Sequence, residues 1–137
     1  MTQILDRISQ VVSNYDAIVL DQYGVLHDGT SPYTGAIECL TNLANSGSRL
    51  AVLSNSGKRS ASNAARISSM GFADSLFDVI MTSGEALWHD ILTGTIIERR
   101  FFPVASRPDD AIKWAQGLDI QFKDSVNTAE AVLLMGL

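Results

Sequence analysis

Short apolar runs alternate along the chain with stretches whose apolar residues recur three and four positions apart. That pattern predicts strand–helix–strand units built on a mostly parallel sheet. The first run is Ala-Ile-Val-Leu at 17–20, and Leu5, Ile8 and Val12 ahead of it fall at helical spacing, so a lead-in helix is expected. Residues 34–44 place Ile37, Leu40, Leu43 and Ala44 on one helical face, and Gly47 follows where a helix end favours a residue tolerant of positive φ. A second strand is expected over 50–53, a polar loop over 54–59, and then a helix capped by Ser60 and stopped by Gly71. The third strand, 78–81, leads through Thr82 and Ser83 into a helix over 84–92, so all three strands end in short polar loops at one edge of the sheet.

Beyond Thr93 and Gly94 the pattern restarts, with a strand over 100–104, a proline-opened helix over 108–116 and a strand over 131–135. A second domain is expected to begin there. The last apolar run stops two residues before the end of the sequence, whereas a parallel strand normally feeds a crossover helix, so the chain reads as cut. An unfinished sheet of this kind is expected to self-associate.

Composition narrows the functions open to such a fold. The 137 residues are 46% hydrophobic and 18% charged with a formal net charge of −5, which gives no basic footprint for nucleic acid or an anionic membrane. No apolar run is long enough to span a bilayer, and the N-terminus carries Asp6 and Arg7 where a signal peptide needs an apolar core. Cys39 is the sole cysteine, so no internal disulfide forms and a reducing, cytoplasmic setting is expected. A small molecule is therefore the expected partner.

Asp21 follows the first apolar run directly, at the carboxyl end of a strand where open parallel sheets place their ligand crevice. Gly24 then turns the chain away, which frees the carboxylate to meet solvent or a cation. The stretch Asp-Gln-Tyr-Gly-Val-Leu at 21–26 resembles the first motif of the haloacid dehalogenase superfamily, an Asp closing strand one. Leu-Ser-Asn-Ser-Gly-Lys-Arg at 53–59 resembles its second motif, with Ser54 closing the next strand. The sequences His-Asp-Gly at 27–29 and Met-Thr-Ser-Gly-Glu-Ala-Leu at 81–87 extend the resemblance to the NagD-like branch, subclass IIA. That resemblance covers nearly the whole chain. It implies an α/β fold whose Rossmann-like three-layer parallel sheet core is present in its first half over 1–92. It also implies that an inserted α/β cap begins over 93–137, with the remainder of cap and core absent.

The resemblance implies a phosphatase acting on a small phosphate ester. Asp21 would be the nucleophile, forming an aspartyl-phosphate intermediate that splits the hydrolysis into two easier steps. Ser54 would hydrogen-bond a phosphate oxygen, and Gly24 with the backbone of Asn55, Ser56 and Gly57, near the start of the Ser60 helix, would complete the phosphate site. A phosphate dianion repels a carboxylate, so Mg²⁺ held by the Asp21 carboxylate and the Tyr23 backbone carbonyl is the expected cofactor.

Tyr23 departs from the family pattern. It stands where the phosphatases carry a second Asp that protonates the leaving oxygen. A phenol, with an ordinary pKa of about 10, is poorly matched to that task, and the loss would remove a factor of roughly 10²–10⁴. Tyr at this place resembles the 2-haloacid dehalogenases, which are the alternative enzyme; a non-catalytic protein of the same fold is the alternative class. The short interval between Leu26 and the helix at 34 leaves no room for a dehalogenase's helical cap, which favours phosphate. The family's third motif, a Lys, and its fourth, an acidic pair, follow the cap and are not in this sequence. The substrate itself is not legible, because cap residues select it.

Bland readings accompany the rest. Lys58 and Arg59 read as solvated loop charges or substrate-edge contacts, and His27 with Asp28 reads evenly as a turn or as a flank of the phosphate pocket. Glu85 and His89 form a helical i, i+4 pair, Trp114 and Phe122 read as packing, and Cys39 as an inert core residue. A response-regulator receiver would need an acidic cluster that is not visible. A dinucleotide-binding domain would need Gly-x-Gly-x-x-Gly after the first strand.

Overall fold

The structure is a computed structural model that describes residues 4–135. Its contacts divide into two compact units. The first holds the residues up to Leu53 together with Ala64–Ile80, and the second holds Ser54–Asn63 with the chain from Met81 onward.

In the first unit the expected lead-in helix is replaced by two short 3-10 turns, Ile8–Gln10 and Val12–Asn14. The Gln10 side chain folds back to accept the N–H groups of Asp6 (3.1 Å) and Arg7 (3.4 Å). Isoleucine, valine, serine and asparagine crowd this stretch, and all of them are weak formers of a longer helix. Strand β1 (Ala17–Leu20) pairs in parallel with β2 (Arg49–Ser54), in register from Ala17 opposite Arg49 to Leu20 opposite Val52. Between them lies α1 (Ala36–Asn45), which starts two residues later than expected because Gly35 adopts a left-handed conformation at its N-cap. Leu40 and Leu43 of α1 point into the core. Cys39 is exposed, not buried as expected, since it falls about 40° past Leu43, beyond the edge of the Ile37–Leu40–Leu43–Ala44 stripe.

Helix α2 (Ser60–Ser69) follows β2, and strand β3 (Val79–Thr82) completes the sheet, whose order is β1-β2-β3. Asp78, expected to open the third strand, works instead as a latch. Its N–H donates to the Leu50 carbonyl (2.8 Å) and its carboxylate accepts from the Leu50 N–H (2.9 Å). The first core gathers Leu26, Leu40, Leu43, Leu50, Val52, Ile67, Phe72 and Leu76. On the opposite side of the same strands Val19, Leu53 and Val79 stay exposed, at 63%, 57% and 47%.

The second unit carries its own parallel sheet. Strand β4 (Arg100–Val104) lies between β5 (Gln121–Phe122) and β6 (Ala131–Leu134). The sequence pattern missed β5, as two residues are too few to show alternation. Its shortness has a cause in its neighbour. The Arg99 and Phe101 carbonyls accept from Gln121 and Lys123 on the β5 side, and the next odd-numbered residue is Pro103, which has no N–H to give. Helix α3 (Ser83–Thr93) opens at Thr82, whose hydroxyl accepts the Glu85 N–H at 2.9 Å, and stops at Gly94 with φ +78°. Helix α4 (Pro108–Trp114) ends two residues short of expectation. Ile91, Phe101, Ala111, Trp114 and Leu133 form the second core, with Phe122 packed against it, in keeping with the packing role expected of Trp114 and Phe122.

Both sheets are parallel and are interleaved with helices. The α/β organisation expected from the alternation, and the Rossmann-like fold implied by the resemblance, are those observed.

Candidate functional site

Asp21 stands one residue past the end of β1 with its side chain exposed. Its Oδ1 accepts the N–H of Gln22 at 2.7 Å. The Gln22 carbonyl in turn accepts from Val25 (3.2 Å), Leu26 (2.8 Å) and His27 (3.3 Å), which winds 21–27 into a single tight turn beside the carboxylate. Gly24 has φ +80° there and donates to the His27 carbonyl at 2.9 Å; an added Cβ would meet nothing within 4 Å, so the position needs glycine for its backbone angle alone. Tyr23 is 68% exposed with its ring edge-on to His27, and its carbonyl accepts no hydrogen bond from the described residues.

His27 and Asp28 are both engaged inside this turn. His27, 1% exposed, accepts the Gly29 N–H on Nδ1 at 3.0 Å, which puts its proton on Nε2. Burial first, and then the nearby Arg66 guanidinium, push its pKa below the ordinary 6.5 against the weaker pull of Asp28 and Asp21. The Asp28 carboxylate accepts from Thr30 and Ser31, both at 2.8 Å, and these bonds hold it below the usual range. Arg66 donates to the Gly29 carbonyl at 2.6 Å and fastens the end of the turn to α2. Two buried donors of this turn, Gln22 Nε2 and His27 Nε2, have no partner among the described residues.

The second unit holds the other candidate segment. Ser54, 8% exposed, is the last residue of β2, and its hydroxyl accepts the Ser56 N–H at 3.3 Å. The Ser56 hydroxyl accepts from Lys58 N–H (3.2 Å) and from the Asn63 amide (3.3 Å), and the Ser56 carbonyl accepts from Gly84 N–H (3.0 Å). Of the loop amides, those of Asn55, Gly57 and Arg59 have no partner among the described residues. The loop runs backbone to backbone across the start of α3: a Cβ on Gly84 would collide with the Gly57 carbonyl, and one on Gly57 would lie 2.8 Å from the Met135 carbonyl. Beside it lies a cavity of about 290 Å³ walled by Asn55, Gly57, Leu87, Trp114 and Met135.

Arg59 is not a solvated charge. Its Nε and Nη2 donate to Glu85 at 2.8 and 2.9 Å, and its guanidinium carbon lies 3.8 Å from the centre of the Trp88 ring. Glu85, expected to pair with His89, turns to Arg59 instead, and that bond, with the Ser60 N–H and in spite of burial, holds its carboxyl below the usual range. The sequence reading missed this pair, because 26 positions separate the partners and no local period links them. Lys58 stays exposed. Among the described residues no group of three His, Cys, Asp or Glu gathers as a metal cage, and no helix is long and apolar enough to cross a membrane.

The model of a family described as haloacid dehalogenase-like hydrolase matches residues 18–119. Among solved structures, the chain resembles a hydrolase of the haloacid dehalogenase-like family from Brucella suis 1330, with 26% identity and a TM-score of 0.82 over 98% of this chain and 47% of that one. It also resembles a 4-nitrophenylphosphatase from Thermotoga maritima (20% identity, TM-score 0.67, 90% of this chain, 46% of that one). A third is a glycerol phosphate phosphatase from Mycobacterium tuberculosis in complex with calcium (19%, 0.64, 93% and 37%). The chain thus spans less than half the length of each. No match was found among functionally curated proteins.

Proposed function

This chain belongs to the haloacid dehalogenase-like hydrolase family, and we propose that it is of the NagD-like branch and carries the nucleophile half of a Mg²⁺-dependent phosphatase acting on a small phosphomonoester. The observation that carries the reading is Asp21, an exposed carboxylate at the carboxyl end of β1, set in a turn that leaves the Tyr23 carbonyl free. Asp21 attacks phosphorus and the alcohol leaves with the bonding pair, giving the aspartyl phosphate that water then cleaves. In the second unit the free amides of Asn55 and Gly57, with the Ser54 hydroxyl, are donors suited to phosphoryl oxygens.

Mg²⁺ prefers about six hard oxygens and keeps several waters, so one carboxylate and one free carbonyl fit as a partial ligand set. The ion would supply charge neutralisation for the attack. A magnesium complex of the Mycobacterium phosphatase supports a divalent cofactor. Tyr23 leaves the proton donor to come from elsewhere, and it keeps the dehalogenase as the second reading. We also read 93–137 as the start of an inserted cap, supported by a second sheet that lies wholly within 100–134. The setting is read as cytoplasmic, on the lone and exposed Cys39. Self-association is read from the exposed Val19, Leu53 and Val79.

The test is 4-nitrophenyl phosphate hydrolysis by the chain, alone and mixed with the second half of the Brucella relative, with and without Mg²⁺. Turnover that needs Mg²⁺ and disappears in Asp21→Asn supports the phosphatase. Halide release from a 2-haloacid without metal overturns it for the dehalogenase, and neither activity leaves a non-catalytic protein.

A further inference from the structure

A helix N-terminus following a strand is an obvious seat for a phosphate, and α2 begins just past the 54–58 loop. In this chain its first N–H is already taken. The Glu85 Oε2 atom accepts the N–H of Ser60, the first residue of α2, at 2.9 Å, while the N–H groups of Ser62 and Asn63 turn back to the Arg59 carbonyl. An anion already occupies the positive end of α2.

A bare carboxylate there would repel a phosphoryl group, and Arg59 cancels it. Both Glu85 oxygens meet the guanidinium, the pair is about three-quarters buried, and the cation is stacked on Trp88, whose indole N–H donates to the Gln116 carbonyl at 3.1 Å. Glu85 is also the third residue of α3, a place from which glutamate usually reaches back to its own helix cap. Here it reaches to the neighbouring helix, so a single carboxylate ties the starts of α2 and α3 together. Between those two points runs the loop, held by Thr82 Oγ1 to the Lys58 carbonyl at 2.6 Å and by Gly84 N–H to the Ser56 carbonyl.

Building on the phosphatase reading, we propose that Arg59 and Glu85 are positioning residues, a charge-neutral clip that replaces phosphate at the α2 N-terminus and holds the free amides of Asn55 and Gly57 in place for the phosphoryl group. Neither side chain touches substrate. The clip separates this proposal from its rival by the sign of a single effect. If Arg59 were a phosphate ligand kept in reserve, removing the Glu85 charge would release it and tighten anion binding. If Arg59 is a positioning residue, the same change loosens the loop and weakens binding.

The experiment titrates the chain with inorganic phosphate in the presence of Mg²⁺ and follows the Asn55 and Gly57 amide resonances, with Trp emission and thermal melting as checks on folding. The wild type is expected to show saturable shifts at these amides. Glu85→Gln and Arg59→Lys should each weaken binding about tenfold to a hundredfold, the worth of one hydrogen bond to a charged group. Arg59→Gln combined with Glu85→Gln should be no weaker than Arg59→Gln alone, because the two residues act as one device. Tighter or unchanged binding in Glu85→Gln overturns the clip while leaving the phosphatase reading intact. No shift at these amides in the wild type overturns both. Should Glu85→Gln fail to fold, Arg59→Lys carries the test, since it keeps the charge and loses only the two-pronged geometry.

Discussion

The two loops that bear the candidate chemistry are built on opposite principles. The turn at 21–33 is held almost entirely by itself: Gln22, His27 and Asp28 satisfy amides two to five positions away, and among the described residues one long-range bond, from Arg66, fastens it. The loop at 54–59 makes few bonds of its own and is pinned from far along the chain by Thr82, Gly84 and Glu85. A self-contained turn keeps its shape through local sequence, and a pinned loop keeps it through tertiary packing. Damage to the first should therefore stay local, while damage to the second should spread through its unit.

The largest effect expected is chemical. Where hydrolysis is measurable, Asp21→Asn should lower kcat by on the order of 10⁴-fold or more with the fold intact, since the nucleophile has no substitute in the turn. Retained turnover would move the nucleophile out of the turn altogether. The sharpest structural contrast comes next, in two glycines. Gly84→Ala should cost about 1–3 kcal/mol by crowding the Gly57 carbonyl and should lower the melting temperature of the second unit. Gly24→Ala has open space and suffers only from φ +80°, so its cost should be about 1 kcal/mol and confined to the turn, as amide exchange would show. Equal and global effects of the two would erase the distinction.

Acid should also unfold the two units in order. His27 has a depressed pKa when folded, so its contribution is complete above the ordinary 6.5 and is lost as the pH falls from there. Glu85 is depressed below the ordinary 4.5, so its contribution stays complete down to that pH and is lost as the pH falls from there through its folded value. All three tyrosines lie in the first unit and both tryptophans in the second, so Tyr and Trp emission read the two units separately. Trp emission that changes before Tyr emission on acidification would contradict this order. The smallest effect concerns the bare side of β1–β3: Val19→Lys should change stability by no more than about 0.5 kcal/mol yet reduce concentration-dependent association in light scattering.

The same contrast explains what could be read from the sequence. The alternation of runs placed β1, β2, α3 and β4 within one or two residues, since each is long enough for its period to show. Asp21 and Gly24 were legible because a strand end and a positive-φ turn are local facts. The short turns at 8–14 were not, since helical spacing of three apolar residues says nothing of how Gln10 competes for the chain. Arg59 and Cys39 were misplaced for related reasons. The partner of Arg59 lies 26 residues on, and the exposure of Cys39 depends on which side of the α1 stripe it falls.

Pro103 gives the second sheet a limit as well as a register. Beyond Phe101 the β5 side of β4 offers no N–H to an incoming strand, so a foreign peptide that docked there would find its template interrupted after a single step. The segment from Phe101 to Val104 has the aromatic and aliphatic side chains that seed fibrils, and the imino acid in its middle makes it a poor seed along that edge.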